Sequence, residues 1–264
     1  MLLALLPAAL AQSNANVIAC QAFVSDTIPA NGQPFVPLDI RPVAIITGGQ
    51  CNPPDGYLLA LLKATEAGQP VVADAEIDVA QPLTALALDV GQDLEPETDY
   101  IFRVTPRDGA GEAIEIGFTT GTDHAQPVGD FVPSLVLRDV TWFPLGDESI
   151  EIGVNGVVTA AADDEGLHSV WVVDDTDPSR VVDVLPVRGA EAHTVVGQWT
   201  QAERPREDIC LSAFQVDGAG VEGGVSAAAC LEAERACGCA SGAGSAGLGW
   251  LVGLLALARR RARA

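Results

Sequence analysis

Basic and proton-transferring side chains are scarce in this 264-residue sequence. It holds 14 Lys and Arg against 36 Asp and Glu, and only three histidines. Four of the arginines lie in the last six residues, so the rest of the chain has ten basic residues and a net charge of −26. A negative field of this kind repels nucleic-acid phosphates and anionic lipid surfaces. We therefore expect no nucleic acid among the partners.

The common catalytic motifs are also missing. The sequence has no GxSxG, HExxH, P-loop or dinucleotide fingerprint, so the usual routes to nucleophilic, metal or phosphate chemistry lack their parts. No spacing of His124, His168 and His193 is typical of a zinc or catalytic site. His124 falls in a predicted linker, and the other two are expected at the surface or at strand ends. We predict a non-enzymatic protein with no catalytic residue, metal or cofactor.

Two short acidic clusters offer oxygen atoms that could bind Ca²⁺ weakly. They are residues 163–165 and residues 174–177. Neither has the full EF-hand pattern, so the prediction favours solvated loop tips over metal sites.

Long apolar segments are confined to the two ends of the chain. Residues 1–11 read MLLALLPAALA, and small residues at Ala9 and Ala11 suit a signal peptidase. We predict a signal peptide cleaved after Ala11. An alternative is a lipoprotein box over residues 17–20, with Cys20 lipidated.

The C-terminal end combines cysteines, an apolar stretch and an arginine cluster. Cys237 and Cys239 precede residues 241–258, whose 18 residues would form a helix of about 27 Å, just enough to span a membrane. Positive charge stays on the cytoplasmic side, so both cysteines would lie outside. The cluster consists of Arg259, Arg260, Arg261 and Arg263.

This ending resembles the MYXO-CTERM sorting domain of myxobacteria and their relatives. The resemblance covers residues 237–264, where a Cys motif, a Gly-rich membrane helix and an Arg-rich stop occur in that order. It implies an envelope sorting protease as a partner, outer-surface display, and Cys237 or Cys239 as the processing and lipid-attachment point. The alternative is a plain single-pass anchor.

Between the two ends, frequent Pro and Gly separate short Val/Ile/Leu-rich runs, which is typical of antiparallel strands and turns. The predicted strands of the first half are residues 43–47, 57–63, 76–79, 84–88, 99–106 and 113–119. Those of the second half are residues 134–143, 149–155, 169–174, 180–186, 191–199, 209–216 and 227–231. The fold class is therefore all-β.

The end of the first half carries a recognisable pattern. Residues 94–121 contain L-x-P-x-T-x-Y followed by F-T-T, which resembles the last strands of bacterial Ig-like and fibronectin type III-like domains. The resemblance implies that Tyr100 fills a corner role, with its ring in the core and its hydroxyl bonded to backbone. Residues 209–217 resemble a penultimate Ig-like strand that leads into a turn at residues 218–224.

These patterns divide the chain into two predicted Ig-like β-sandwich domains, at residues 12–121 and 133–236, joined by a linker at 122–132. The four cysteines outside the tail then fall as one pair in each domain. The local pairings are Cys20–Cys51 and Cys210–Cys230, and each would stabilise its domain by roughly 3 kcal/mol.

The predicted function is a non-enzymatic cell-surface binding or spacer protein, whose ligand is an extracellular protein or glycan. Two other classes stay open. One is an exported hydrolase or accessory subunit that uses unidentified carboxylates, and the other is a structural envelope component.

Overall fold

The computed structural model of the protein describes residues 23–47, 56–65, 70–78, 85–107, 112–145, 149–189, 192–203, 205 and 207–235. The predicted signal peptide, Cys20, Cys51 and the whole sorting tail lie outside these residues. Every regular element in the described ranges is a β-strand, so the all-β prediction is confirmed there. No helix in this part of the chain is long and apolar enough to cross a membrane.

The first half of the chain forms two sheets that share one core. Its strands are β1 (Phe23–Ile28), β2 (Gln33–Val36), β3 (Val43–Thr47), β4 (Gly56–Lys63), β5 (Pro70–Asp78), β6 (Ala85–Ala87), β7 (Asp99–Pro106) and β8 (Ile114–Thr120). One sheet has the order β1-β3-β6 and the other the order β2-β8-β7-β4-β5. Among these described strands, only the β2–β8 pair is parallel. Buried residues of both sheets, such as Ile46 and Phe102, belong to one cluster, so the sheets pack face to face.

The second half repeats this arrangement. Its strands are β9 (Ser134–Pro144), β10 (Ile150–Thr159), β11 (Ser169–Asp174), β12 (Val181–Pro186), β13 (Ala192–Gln201), β14 (Ile209–Val216), β15 (Glu222–Val225), β16 (Ala229–Leu231) and β17 (Glu234–Arg235). The sheet orders are β13-β10-β9-β17 and β12-β11-β14-β15, with β16 also paired to β14. A second cluster joins both sheets through residues such as Ile152 and Leu211.

Most predicted strands coincide with observed ones, because apolar runs and turn residues mark them clearly. The β3, β7, β11 and β14 strands have the predicted bounds, whereas β5 begins six residues before the predicted strand, at Pro70. The short strands β1, β2, β15 and β17 were not predicted. Residues 222–225 form β15 rather than the end of a turn.

Tyr100 fills the predicted corner role. It is almost fully buried in the core of the first half, and its hydroxyl accepts a hydrogen bond of 2.9 Å from the backbone N–H of Glu95. Phe102 and Val104 follow it on the same buried face of β7, as the alternation of side chains along a strand requires.

Cys210 and Cys230 form the predicted disulfide, which joins β14 to β16 across directly paired positions. The bond closes a short loop near the end of the second half. The other predicted pair lies outside the described residues.

The two halves are in direct contact. A third apolar cluster combines Ile28, Val43 and Ile45 of the first half with Val184 of the second. The backbone N–H of Arg41 donates to the carbonyl of Gly218 at 2.7 Å, and Leu167 packs into the core cluster of the first half. This junction places residues distant in sequence on opposite walls of one cleft.

Candidate functional site

A cleft of about 710 Å³ opens where the two halves meet. One wall comes from the β1–β2 turn and β2, which supply Gln33 and Phe35. The other comes from the loop before β11, residues 164–167, and from residues 188–189 after β12. The volume lies in the range of small-ligand sites, about 300–1,000 Å³.

Phe35 is the most unusual residue of the cleft. Its side chain is 81% exposed, although burial of a Phe side chain is worth roughly 1.5–3 kcal/mol. Its backbone lies in the left-handed region with φ of 56°, which costs a residue other than glycine about 1–2 kcal/mol. Strained backbone of this kind concentrates at functional sites. Phe35 is therefore the first candidate for ligand contact.

A β-bulge turns Phe35 outward. In the β2–β8 pair, Gln33 lies opposite Phe118 and Val36 opposite Thr120, so β2 contains one extra residue. Bulges redirect a side chain and recur beside functional sites. Gly121 holds the far end of β2 through its N–H, which donates to the carbonyl of Val36 at 2.7 Å.

The opposite wall is a loop organised around Asp163. The carboxylate of Asp163 accepts the backbone N–H groups of Glu165 (3.0 Å), Leu167 (2.6 Å) and His168 (2.6 Å). Its backbone carbonyl accepts the N–H groups of Gly166 and Gly189. Gly166 has φ of 70°, a conformation that glycine adopts without cost. The first acidic cluster therefore uses Asp163 to shape the loop, while Asp164 and Glu165 line the cleft.

Two polar contacts join the walls. The side-chain amide of Gln33 donates to the backbone carbonyl of Glu165 at 2.7 Å, and its oxygen accepts the N–H of Ala30. The guanidinium of Arg188 lies 2.6 Å from Asp26. These contacts fix the spacing of the walls and occupy both side chains.

The second acidic cluster, at residues 174–177, has its oxygens occupied in a different way. The Asp174 carboxylate accepts hydrogen bonds from Thr176 and forms an ion pair with Arg180 at 2.7 Å. Asp177 accepts from Ser179 at 2.5 Å and lies 3.7 Å from Arg180. Within the described ranges, no group of three or more His, Cys, Asp or Glu residues is arranged to hold a metal ion.

His168 directly precedes β11, as the expected strand end requires, but it is buried in a polar network and not at the surface. Its Nε2 lies 3.0 Å from the Gln126 carbonyl, and its Nδ1 lies 3.1 Å from the Gln215 amide nitrogen. The carbonyl only accepts, so Nε2 carries the proton and Nδ1 accepts. Gln215 also bonds both backbone groups of Ala161. This network ties the predicted linker to the second half.

His124 and Asp93 form an exposed pair, with Nε2 3.1 Å from Oδ2. The hydrogen bond to Asp93 and its negative charge raise the pKa of His124. His193 is the second residue of β13, which agrees with the expected strand end. The three histidines do not converge on one site.

Among the carboxyl groups of the described residues, Asp183 has a raised pKa. Burial between β12 and β13 raises its pKa from 3.8 to about 6, and the N–H groups of Val196 and Val184 oppose that rise. Its Oδ2 accepts the Val196 N–H at 2.9 Å. This bond joins edge strands of the two sheets in the second half, so Asp183 has a structural role.

The predicted site residues fall into two groups. Cys210 and Cys230 form their bond, whereas Cys20, Cys51, Cys237, Cys239 and the four tail arginines lie outside the described residues. The sequence did not predict that Phe35, Glu165 and Arg188 line one cleft. The only local sign of the cleft was an aromatic residue directly after Pro34, in a segment where apolar and polar residues do not alternate.

Comparisons of the chain with known protein families and with curated proteins found no match.

Proposed function

We propose that this protein is an exported, non-enzymatic binding protein, displayed on the cell surface through its C-terminal sorting signal. Its cleft, centred on Phe35, would hold the ligand away from the envelope. The observation that carries the proposal is an exposed aromatic on strained backbone, at a cleft built by both halves.

Each half is proposed to be an Ig-like sandwich. With β1 and β2 taken as two parts of one first strand, the first (through β1), second and fifth strands of each half share a sheet. The third, fourth, sixth and seventh share the other, which β2 joins in the first half. Ig-like and fibronectin type III-like domains divide their strands in a similar way. The corner bond of Tyr100 gives further support. Because such sandwiches serve many functions, the cleft supports the binding role and the fold alone does not.

Export is supported by the Cys210–Cys230 bond, because disulfides persist in oxidising compartments. The sorting tail adds the resemblance to the MYXO-CTERM domain at residues 237–264. Together these features support the proposal that the cleft lies outside the cell.

The test compares the full chain, purified in a neutral detergent, with its Phe35→Asn variant on peptide and glycan arrays. We expect some spots to bind the wild type and to bind the Phe35→Asn variant much less. The compounds on these spots should stay chemically unchanged during incubation. Val225→Asn, which changes another exposed apolar residue, is the control and should bind as the wild type does. Arrays without any Phe35-dependent spot would contradict a binding cleft, and spots that are cleaved would favour a hydrolase.

A further inference from the structure

We propose that the occupant of the cleft is a basic peptide segment, whose Lys or Arg side chain lies against Phe35 and between the carboxylates of Asp164 and Glu165. This inference rests on the proposed binding function and specifies its ligand class.

The charges of the cleft favour a cation. The positive charge of Arg188 is already paired with Asp26 at 2.6 Å. Asp164 and Glu165 are exposed, and their carboxylates form no ion pair or side-chain hydrogen bond among the described residues. The cleft therefore presents two negative charges that a ligand can neutralise.

Four backbone N–H donors of the loop wall are already used. The N–H groups of Glu165, Gly166, Leu167 and Gly189 all donate to Asp163, and the Gln33 amide donates to the Glu165 carbonyl. An anionic ligand needs such donors, as phosphate sites on backbone N–H groups do. This wall offers mainly acceptors, which suit an ammonium or guanidinium group with several N–H donors.

Phe35 supplies the complementary apolar contact. A Lys or Arg side chain combines an apolar stem with a charged end, and an aromatic face attracts both parts through apolar contact and the cation–π interaction. The bulge and the left-handed backbone hold the ring in the open at the cleft. A divalent cation would make no use of this ring, and no group of three metal ligands occurs in the described part of the chain.

The overall charge acts in the same direction. The chain before the arginine cluster carries a net charge of −26, which accelerates the approach of cationic partners and repels acidic ones. Binding should therefore weaken as salt rises.

The test measures fluorescence anisotropy of a labelled peptide that alternates Gly and Arg, mixed with the full chain in neutral detergent. A peptide that alternates Gly and Glu and a labelled chitooligosaccharide are compared in parallel. We expect the Arg peptide to bind, the Glu peptide not to bind, and the oligosaccharide to bind at least roughly tenfold more weakly.

The variants locate the site. The double variant Asp164→Asn and Glu165→Gln should weaken Arg-peptide binding by roughly tenfold, and Phe35→Asn by about threefold to tenfold. The matched control is Glu232→Gln and Glu234→Gln, which removes two exposed charges elsewhere, and it should change affinity less than about twofold.

Three results would overturn the inference, and they are distinguishable. If both double variants lose the same affinity for the Arg peptide, the peptide is attracted to the whole acidic body of the protein rather than to the cleft. Phe35-dependent binding of the oligosaccharide alone would contradict a basic ligand and leave the proposed binding function intact. If no probe and no array spot binds in a way that depends on Phe35, both the basic-peptide inference and the proposed binding function are overturned.

Discussion

Gly121 and Phe35 are in backbone contact. A methyl group on Gly121 would lie 3.2 Å from the Cα of Phe35 and 3.3 Å from its carbonyl carbon and oxygen. All three are backbone atoms, so no side-chain rotation relieves the contact. Glycine at this position therefore allows β2 to bulge against the end of β8.

The first prediction concerns this contact. Gly121→Ala should displace β2, lower the free energy of unfolding by about 1–3 kcal/mol and weaken ligand binding at the cleft. Urea unfolding and array binding of the full chain measure the two effects. Gly117→Ala, within the preceding strand β8, is the control, because its methyl would lie an ordinary 3.8 Å from Asn31. Equal stability of the two variants would contradict the proposed close approach.

The second prediction separates a functional Phe35 from a structural one. Asn tolerates left-handed backbone better than Phe does, so Phe35→Asn should raise the free energy of unfolding by about 1 kcal/mol while it weakens ligand binding. Phe102→Ala, in the buried core, should lower it by about 3–5 kcal/mol. If Phe35→Asn instead lowers the free energy of unfolding by several kcal/mol, the Phe35 ring has a structural role in packing.

The third prediction is a pH dependence from Asp183. Its pKa is raised to about 6 in the folded protein, so the folded state binds the proton more tightly than the unfolded state does. Stability from this group is therefore greatest below about pH 4 and falls as pH rises towards 6, by at most about 3 kcal/mol. Asp183→Asn is never charged, and its amide oxygen can still accept the Val196 N–H.

Urea unfolding at a series of pH values tests this account. Asp183→Asn should be more stable than the wild type at pH 7.5 and nearly equal to it at pH 4. The exposed Asp130→Asn is the control and should follow the wild type throughout. The contribution of the His124–Asp93 pair, which falls with rising pH, cancels in the difference between variant and wild type. A constant difference across the series would contradict a buried, titrating Asp183.

The fourth prediction concerns the sorting tail. Replacing Cys237 and Cys239 with Ala should leave membrane insertion intact and block processing and surface display, because the cysteines are the proposed processing point. Surface accessibility in intact cells and the mass of the mature C-terminus report the result. Ser241→Ala is the control, and deletion of residues 259–264 should disturb the membrane stop itself. Normal processing of the double-Cys variant would reduce the tail to an ordinary anchor.

The strands were predictable where alternation and turns mark them. The buried Tyr100, Phe102 and Val104 alternate with partly buried residues, and β7 has the predicted bounds. The β2 strand lacks that signal, because Pro34 and Phe35 are both exposed and only Val36 is buried.

The cleft was not predictable from local patterns. It joins Gln33 to Glu165, which are 132 residues apart, and its geometry depends on how the two halves pack. Phe35 also departs from the expectation that a large apolar residue is buried. The disulfide of Cys210 and Cys230 was predictable, because the two cysteines are close in sequence and lie on the paired strands β14 and β16.

Hydrogen exchange tests the central claim most directly. The full chain is measured with and without the ligand that the arrays select, at saturating concentration. A ligand in the cleft should slow exchange in residues 30–36, 164–168 and 187–189, and should leave β13 and β16 unchanged. Protection confined to other parts of the chain, or none at all, would contradict a binding cleft at Phe35.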